Sequence, residues 1–164
     1  MKTAEFAELV QGIRFAMFTT SSLEGGLSSR PLTVQEMTAQ GDLFFLISDT
    51  STLAEEVRAN GRVNATLTKP ESSIYVSLVG SAEVTHDQER IDELWSIGAQ
   101  AFFPRGPKDP DLALLHMRIE SAELWDSPSS RIVQAWKFAK AIVTGEKASD
   151  AGRHKSFEFE VIQT

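Results

Sequence analysis

Phe102-Phe103-Pro104-Arg105-Gly106-Pro107-Lys108-Asp109-Pro110-Asp111, taken with Ser28-Ser29-Arg30-Pro31-Leu32 far upstream, carries most of what this sequence says. Neither stretch is a catalytic signature of the usual kind. No nucleophile elbow, metal-ligand cluster or phosphate-cradling glycine loop accompanies them. The first sets an aromatic pair against three prolines at the end of a helical pattern. The second puts a lone arginine where an apolar-rich strand begins.

Around these two stretches the chain reads as strands joined by tight turns. Phe6, Leu9, Val10 and Ile13 lie at helical spacing behind Thr3, which predicts a short amphipathic helix over 3–13. Phe15 to Thr20 reads as a strand, and Glu24-Gly25-Gly26 supplies the positive-φ positions of a hairpin. Arg30 to Met37 is the expected return strand, with Pro31 confined to its start or to an edge. After the Gln40-Gly41-Asp42 turn, Leu43 to Ser48 is apolar throughout and predicts a strand covered on both faces.

Asp49-Thr50-Ser51 collects cap residues ahead of a short helix through Leu53, Ala54, Val57 and Arg58, with Asn60-Gly61 as its C-cap signal. Val63 to Thr68 and Ile74 to Val84 read as strands on either side of the breaker Lys69-Pro70-Glu71-Ser72. Thr85 with Gln88 fits a capping box, and Asp87 competes for the same helix. Ile91, Leu94, Trp95 and Gly98 form one face of that helix, which stops at Pro104. Leu112 to Trp125 holds at least one further strand, and Ser129-Ser130 caps a helix through Val143. Gly145 to Lys155 reads as a polar loop, followed by an alternating strand from Phe157 to Val161. Helices inserted among hairpin-linked strands predict an antiparallel sheet or barrel rather than a doubly wound parallel sheet.

Composition narrows the function classes. At 164 residues the chain is expected to form one domain over 1–164, and a chain of about 150 residues buries roughly 70% of its unfolded surface. Its 41% hydrophobic and 24% charged residues are ordinary for a globular protein. Sixteen basic residues against 23 acidic ones give a net charge of −7 without any Lys/Arg run, so nucleic acid is not an expected partner. One or two placed arginines would still suffice for a small phosphorylated ligand. The absence of cysteine removes disulfides, thiolate catalysis and iron–sulfur clusters. The acidic start Met1 to Glu8 lacks an apolar signal core, and no segment is apolar for long enough to span a bilayer. A cytoplasmic protein without membrane contact is therefore expected.

Laid onto residues, Ser29-Arg30-Pro31, Gly41-Asp42-Leu43-Phe44-Phe45, Glu55 to Asn60, Leu94-Trp95, the Phe-Phe-Pro to Asp-Pro-Asp block and Leu124-Trp125-Asp126 resemble the general stress protein branch of the pyridoxamine 5'-phosphate oxidase-like, FMN-binding split-barrel superfamily. The likeness covers about Phe15 to Gly145. It implies a mainly β fold, a six-stranded antiparallel split barrel with flanking helices, and a homodimer with two FMN sites between the subunits.

The resemblance also implies roles for residues. Arg30 matches the arginine that contacts the flavin phosphate, and a planar, permanently charged fork suits that group. Pro31 and Leu32 match positions whose backbone lies along the isoalloxazine ring. Leu46 and Ile47 match the end of the third strand, where relatives often carry a threonine; Ile47 lacks that hydroxyl. Ser51, Thr52 and Leu53 match the second phosphate-binding stretch, in which the family commonly has a lysine at the position of Leu53. Tyr75 matches a strand position near the flavin, and Trp125 a tryptophan that reaches it from the partner subunit.

The implied cofactor is FMN, with FAD or another flavin as alternatives. No residue identifies itself as a general acid or base. The expected function is an FMN-binding oxidoreductase-like protein of unknown substrate. Its alternatives are a flavin-sequestering stress protein without catalysis and a dimer that has lost the cofactor. True pyridoxamine phosphate oxidase activity is not implied, because Arg131-Ile132-Val133 stands where that enzyme has an Arg-Leu-His element. His86, His116 and His154 show no paired spacing, so no metal site is expected.

Overall fold

A computed structural model describes residues 10–126 and 153–158. Eight strands form one antiparallel sheet: β1 (Phe15–Ser21), β2 (Leu27–Thr33), β3 (Glu36–Met37), β4 (Asp42–Ser48), β5 (Arg62–Lys69), β6 (Ile74–Thr85), β7 (Leu112–Asp126) and β8 (Arg153–Glu158). Three helices lie between them: α1 (Thr52–Ala59), α2 (Gln88–Leu94) and α3 (Ile97–Gln100). The main hydrogen-bonded path runs β2-β1-β5-β6-β7-β4-β3, and β8 adds to β7.

The two ends of that path are neighbours in sequence, and this curls the sheet into a barrel. Between β2 and β3 only Val34 and Gln35 intervene. The Val34 N–H donates to the Arg14 carbonyl before β1, and the next N–H, of Gln35, donates to the Phe44 carbonyl of β4. The chain thus passes from one side of the barrel to the other within two residues. The expected single strand Arg30 to Met37 is therefore broken in the middle. Counting β2 and β3 as one bent strand, with β8 set aside, gives the six strands of a split barrel.

Alternation places the core. Ala16, Phe18 and Thr20 of β1 point inward, while Phe15 and Met17 point out. Phe18 and Phe45 meet edge to face at 5.4 Å in the centre, a favoured aromatic arrangement. On β4, Leu43, Phe45 and Ile47 face this core, whereas Phe44 and Leu46 pack on a second cluster of Ile91, Phe103, Leu112 and Leu114. Both faces of β4 are covered, as its unbroken apolar run predicts.

Several local expectations are corrected. Asp87, not Thr85, caps α2, accepting from the Arg90 N–H. α2 ends at Leu94, Trp95 is extended, and Ser96 caps the short α3. Gly98 therefore leaves the buried face on which Ile91, Leu94 and Trp95 pack. Asn60 ends α1 in an extended rather than a left-handed conformation. Gly61 is needed for closeness instead, since a Cβ there would stand 2.8 Å from the Ala82 carbonyl oxygen. Arg153 to Lys155, expected in a loop, belong to β8. β7 is flanked by β4 over 112–118 and by β8 over 121–126, so a largely polar segment completes the ladder. The expected helix over 3–13 lies almost wholly outside the described residues, and the one through Val143 lies entirely outside them.

Candidate functional site

Both decisive stretches of sequence converge on α1. Its N-cap is Ser51, whose hydroxyl accepts from the Ala54 N–H and donates to the Ser48 carbonyl. Leu53, Ala54 and Val57 turn into the core, and so does Glu56, which is only 3% exposed. A buried carboxylate requires partners, and here they come from β1 and β2. The Thr20 hydroxyl donates to Glu56 Oε2 at 2.6 Å, and Arg30 Nη2 donates to the same oxygen at 2.7 Å. Arg30 also donates to Ser28 Oγ through Nη2 and to Thr20 Oγ1 through Nη1. The Thr20 hydroxyl, beside the guanidinium and against the opposing effect of burial, holds the Glu56 carboxyl below its ordinary range.

Arg30 lies on the inward side of β2, opposite Phe18, with its side chain 23% exposed. A guanidinium carries five N–H donors. Nη2 commits both of its hydrogens to Ser28 and Glu56, and Nη1 commits one to Thr20. The second Nη1 hydrogen and the Nε–H have no partner among the described residues.

On the other flank of α1 sits the proline block. Asp111 accepts from Ser48 Oγ at 2.7 Å, from the Thr50 hydroxyl at 2.8 Å and from the Thr50 N–H at 3.1 Å. The Ser48 and Thr50 donors lower the Asp111 carboxyl below its ordinary value. Arg105 pairs with buried Asp109 at 2.8 Å, and Gly106 (φ 86°) makes the turn between them. Phe103 fills the second cluster, while its neighbour Phe102 is exposed. The block thus fixes the junction between β4 and α1.

The outer face of the barrel carries the remaining residues. Pro31 points outward opposite Met17, and the row continues in register through Thr66, Ser77 and Glu123. In the adjoining row Thr68 pairs with Tyr75, and Tyr75 with Trp125. Phe15, Met17, Tyr75 and Trp125 are all exposed there, an unusual concentration of large apolar side chains on one face.

The structure therefore sorts the sequence-predicted residues into three groups. Arg30 meets α1 at Glu56, and Ser51 and Thr52 stand at the N-terminus of the same helix. Pro31, Tyr75 and Trp125 share the outer face. The side chains of Leu32, Ile47 and Leu53 pack inward, and Leu46 packs on the second cluster. Leu53 is a core residue rather than a groove-edge one. Sequence reasoning missed Glu56, although an acid three residues after Leu53 and next to Val57 falls on the buried helix face and demands a cation. His86 and His116 each pair with a different carboxylate, Asp49 and Asp42.

A curled antiparallel sheet closed by one bent strand, with α1 set against its arginine-bearing edge, defines a split-barrel protein. The chain belongs to the pyridoxamine 5'-phosphate oxidase like family, whose model matches residues 2–150. Among solved structures it is similar to a protein from Jannaschia sp. CCS1 assigned as general stress protein 26, at 26% identity over 96% of this chain and 98% of that one, with a TM-score of 0.75. It is also similar to a general stress FMN/FAD binding protein from Xanthomonas citri, at 26% identity over 79% of this chain and 91% of that one, with a TM-score of 0.69. A heme binding protein from Mycobacterium smegmatis shares the fold alone, at 15% identity over 96% of this chain and 57% of that one, with a TM-score of 0.61. No curated protein sequence matches the chain.

Proposed function

We propose that this chain binds a flavin, FMN in the first instance, in a groove completed by a second copy, and works as an oxidoreductase-like flavoprotein of the general stress type. The observation that carries the proposal is Arg30, a partly exposed guanidinium that is fixed against Glu56 of α1 and has two N–H groups uncommitted among the described residues. Family membership and the FMN/FAD binding relative from Xanthomonas citri support the choice of ligand.

Arg30 takes the phosphate, aided by Ser51 and Thr52 at the positive end of α1. Pro31 and Leu32 offer the backbone of an edge strand to the ring. Leu46, Ile47 and Leu53, whose side chains are turned into apolar clusters, contribute through main chain and shape. Tyr75 and Trp125 come from the partner copy and shield the groove from water. The flavin, when bound, supplies the redox chemistry, and the chain binds it, orients it and excludes solvent.

A second reading, a dimer without flavin, is favoured by two placements: Arg30 is already paired with Glu56, and Leu53 stands in the core at the position where the resemblance implies a lysine. Titrating wild type and Arg30→Ala with FMN and riboflavin separates the readings. The flavin reading predicts that Arg30→Ala weakens FMN about ten- to a hundredfold, since the phosphate loses its charged hydrogen bonds and then faces Glu56 without its counter-cation, and leaves riboflavin nearly unchanged. Equal weakening of both ligands would assign Arg30 a purely structural role. Reducing the FMN-loaded protein with NADH or NADPH then distinguishes an oxidoreductase from a flavin store.

A further inference from the structure

The Arg30–Glu56 pair has a consequence for which ligand the site prefers, and it rests on the flavin reading above. Arg30 reaches a ligand with a carboxylate directly behind it: Glu56 is 3% exposed, sits 2.7 Å from Nη2, and is held by Thr20 at 2.6 Å. β1 faces Glu56 with the neutral Thr20, and β2 with Arg30, whose Nη2 also donates to the neutral Ser28 hydroxyl. A phosphate dianion approaching the two remaining N–H groups gains the attraction of one cation and meets the repulsion of one fixed anion. Both act at short range, from a carboxylate almost wholly shielded from water and a guanidinium 23% exposed, so neither is fully screened. A ligand without a phosphate experiences neither.

We propose that Glu56 is a specificity-determining residue: a built-in counter-anion to Arg30 that suppresses the preference of the site for phosphate-bearing flavins over phosphate-free ones. In this arrangement Arg30 orients the phosphate through directed N–H bonds, and Glu56 cancels most of the affinity its charge would add. The geometry suits a site that accepts flavins with and without a terminal phosphate.

The test is titration of wild type and Glu56→Gln with FMN, riboflavin and inorganic phosphate, the last followed by the Arg30 Nε–H resonance. Gln keeps the shape and a hydrogen-bonding oxygen while removing the charge. The expected result is a rise of about tenfold or more in the FMN-to-riboflavin affinity ratio, with phosphate shifting the Arg30 signal at lower concentration than in wild type. An unchanged or smaller ratio would overturn the proposal and make Glu56 a plain structural partner. If neither flavin binds either protein, the flavin reading fails, and the phosphate arm decides alone: a response strengthened in Glu56→Gln sustains the counter-anion role, and equal responses refute it. Should Glu56→Gln fail to fold, Arg30→Met/Glu56→Met replaces the pair by apolar side chains, a change that buried pairs commonly tolerate. Its FMN-to-riboflavin ratio, or its phosphate affinity if flavins do not bind, should stay within about fivefold of wild type, because the two charges leave together. A larger loss would show that Arg30 was never cancelled.

Discussion

Tyr75 and Trp125 stand directly opposite each other on β6 and β7, both turned outward, 46% and 40% exposed. Cross-strand aromatic pairs stabilise a sheet, but two such residues left half in water signal a surface that meets something. With Phe15, Met17 and Pro31 on the same face, a second copy of the chain is the partner that the flavin reading requires.

The first prediction is thus a homodimer at micromolar concentration in a sedimentation experiment. Tyr75→Ser/Trp125→Ser should weaken the dimer by about a hundredfold or more, as losing two central aromatic anchors does. A variant as dimeric as wild type would move the interface elsewhere.

Leu53 supplies the second. It lies in the main core with Ala54 and Val57, so Leu53→Ala should destabilise the protein by about 2–4 kcal/mol in urea denaturation. Leu53→Lys should cost more, because an ammonium would enter an apolar cluster unpaired. A stable, tightly FMN-binding Leu53→Lys protein would mean that α1 repositions its first turn.

A third concerns acid. The folded-state carboxyl of Glu56 is held low, chiefly by the Thr20 hydroxyl and with help from Arg30. A depressed carboxyl contributes stability that is complete above its unfolded value, about 4.3, and is lost as pH falls through the lower folded value. The melting temperature should fall below about pH 4.3, and less steeply in Glu56→Gln. Parallel curves for the two proteins would show that the carboxyl is not perturbed.

Gly80 gives a prediction about the barrel itself. The β6–β7 register shifts at Val79/Gly80, and a Cβ on Gly80 would lie 2.0 Å from the Arg118 carbonyl oxygen. Gly80→Ala should destabilise by about 3 kcal/mol or more, since backbone must move. Gly98→Ala, whose Cβ meets only Ser96 Oγ at 3.6 Å, should be neutral or mildly stabilising.

Much of this architecture is legible in the sequence, for identifiable reasons. The alternation of β1 and the apolar run of β4 record which faces are buried, and Gly25, Gly26 and Gly41 take the positive φ that turns demand. What escapes the sequence is set by partners distant along the chain. Nothing in Val34-Gln35 marks the point where one strand divides between β1 and β4, because barrel closure imposes the break. The strand expected from Phe157 overlaps β8 only at Phe157 and Glu158, because the polar Arg153 to Ser156 carry no strand signal and are paired with β7 in the fold. Phe102 and Phe103 look equivalent until the Gly106 turn sends only one inward. At the site, Arg30 stands out by its context, yet its partner Glu56 lies 26 residues away and meets it only through the packing of α1.

The most direct measurement is a fluorescence titration of FMN with the purified protein, read as quenching and as stoichiometry. Saturable binding of one FMN per subunit is expected, with a dimer at saturation. Flavin fluorescence that stays unchanged at micromolar protein and FMN, in a chain that is folded by circular dichroism, would contradict it.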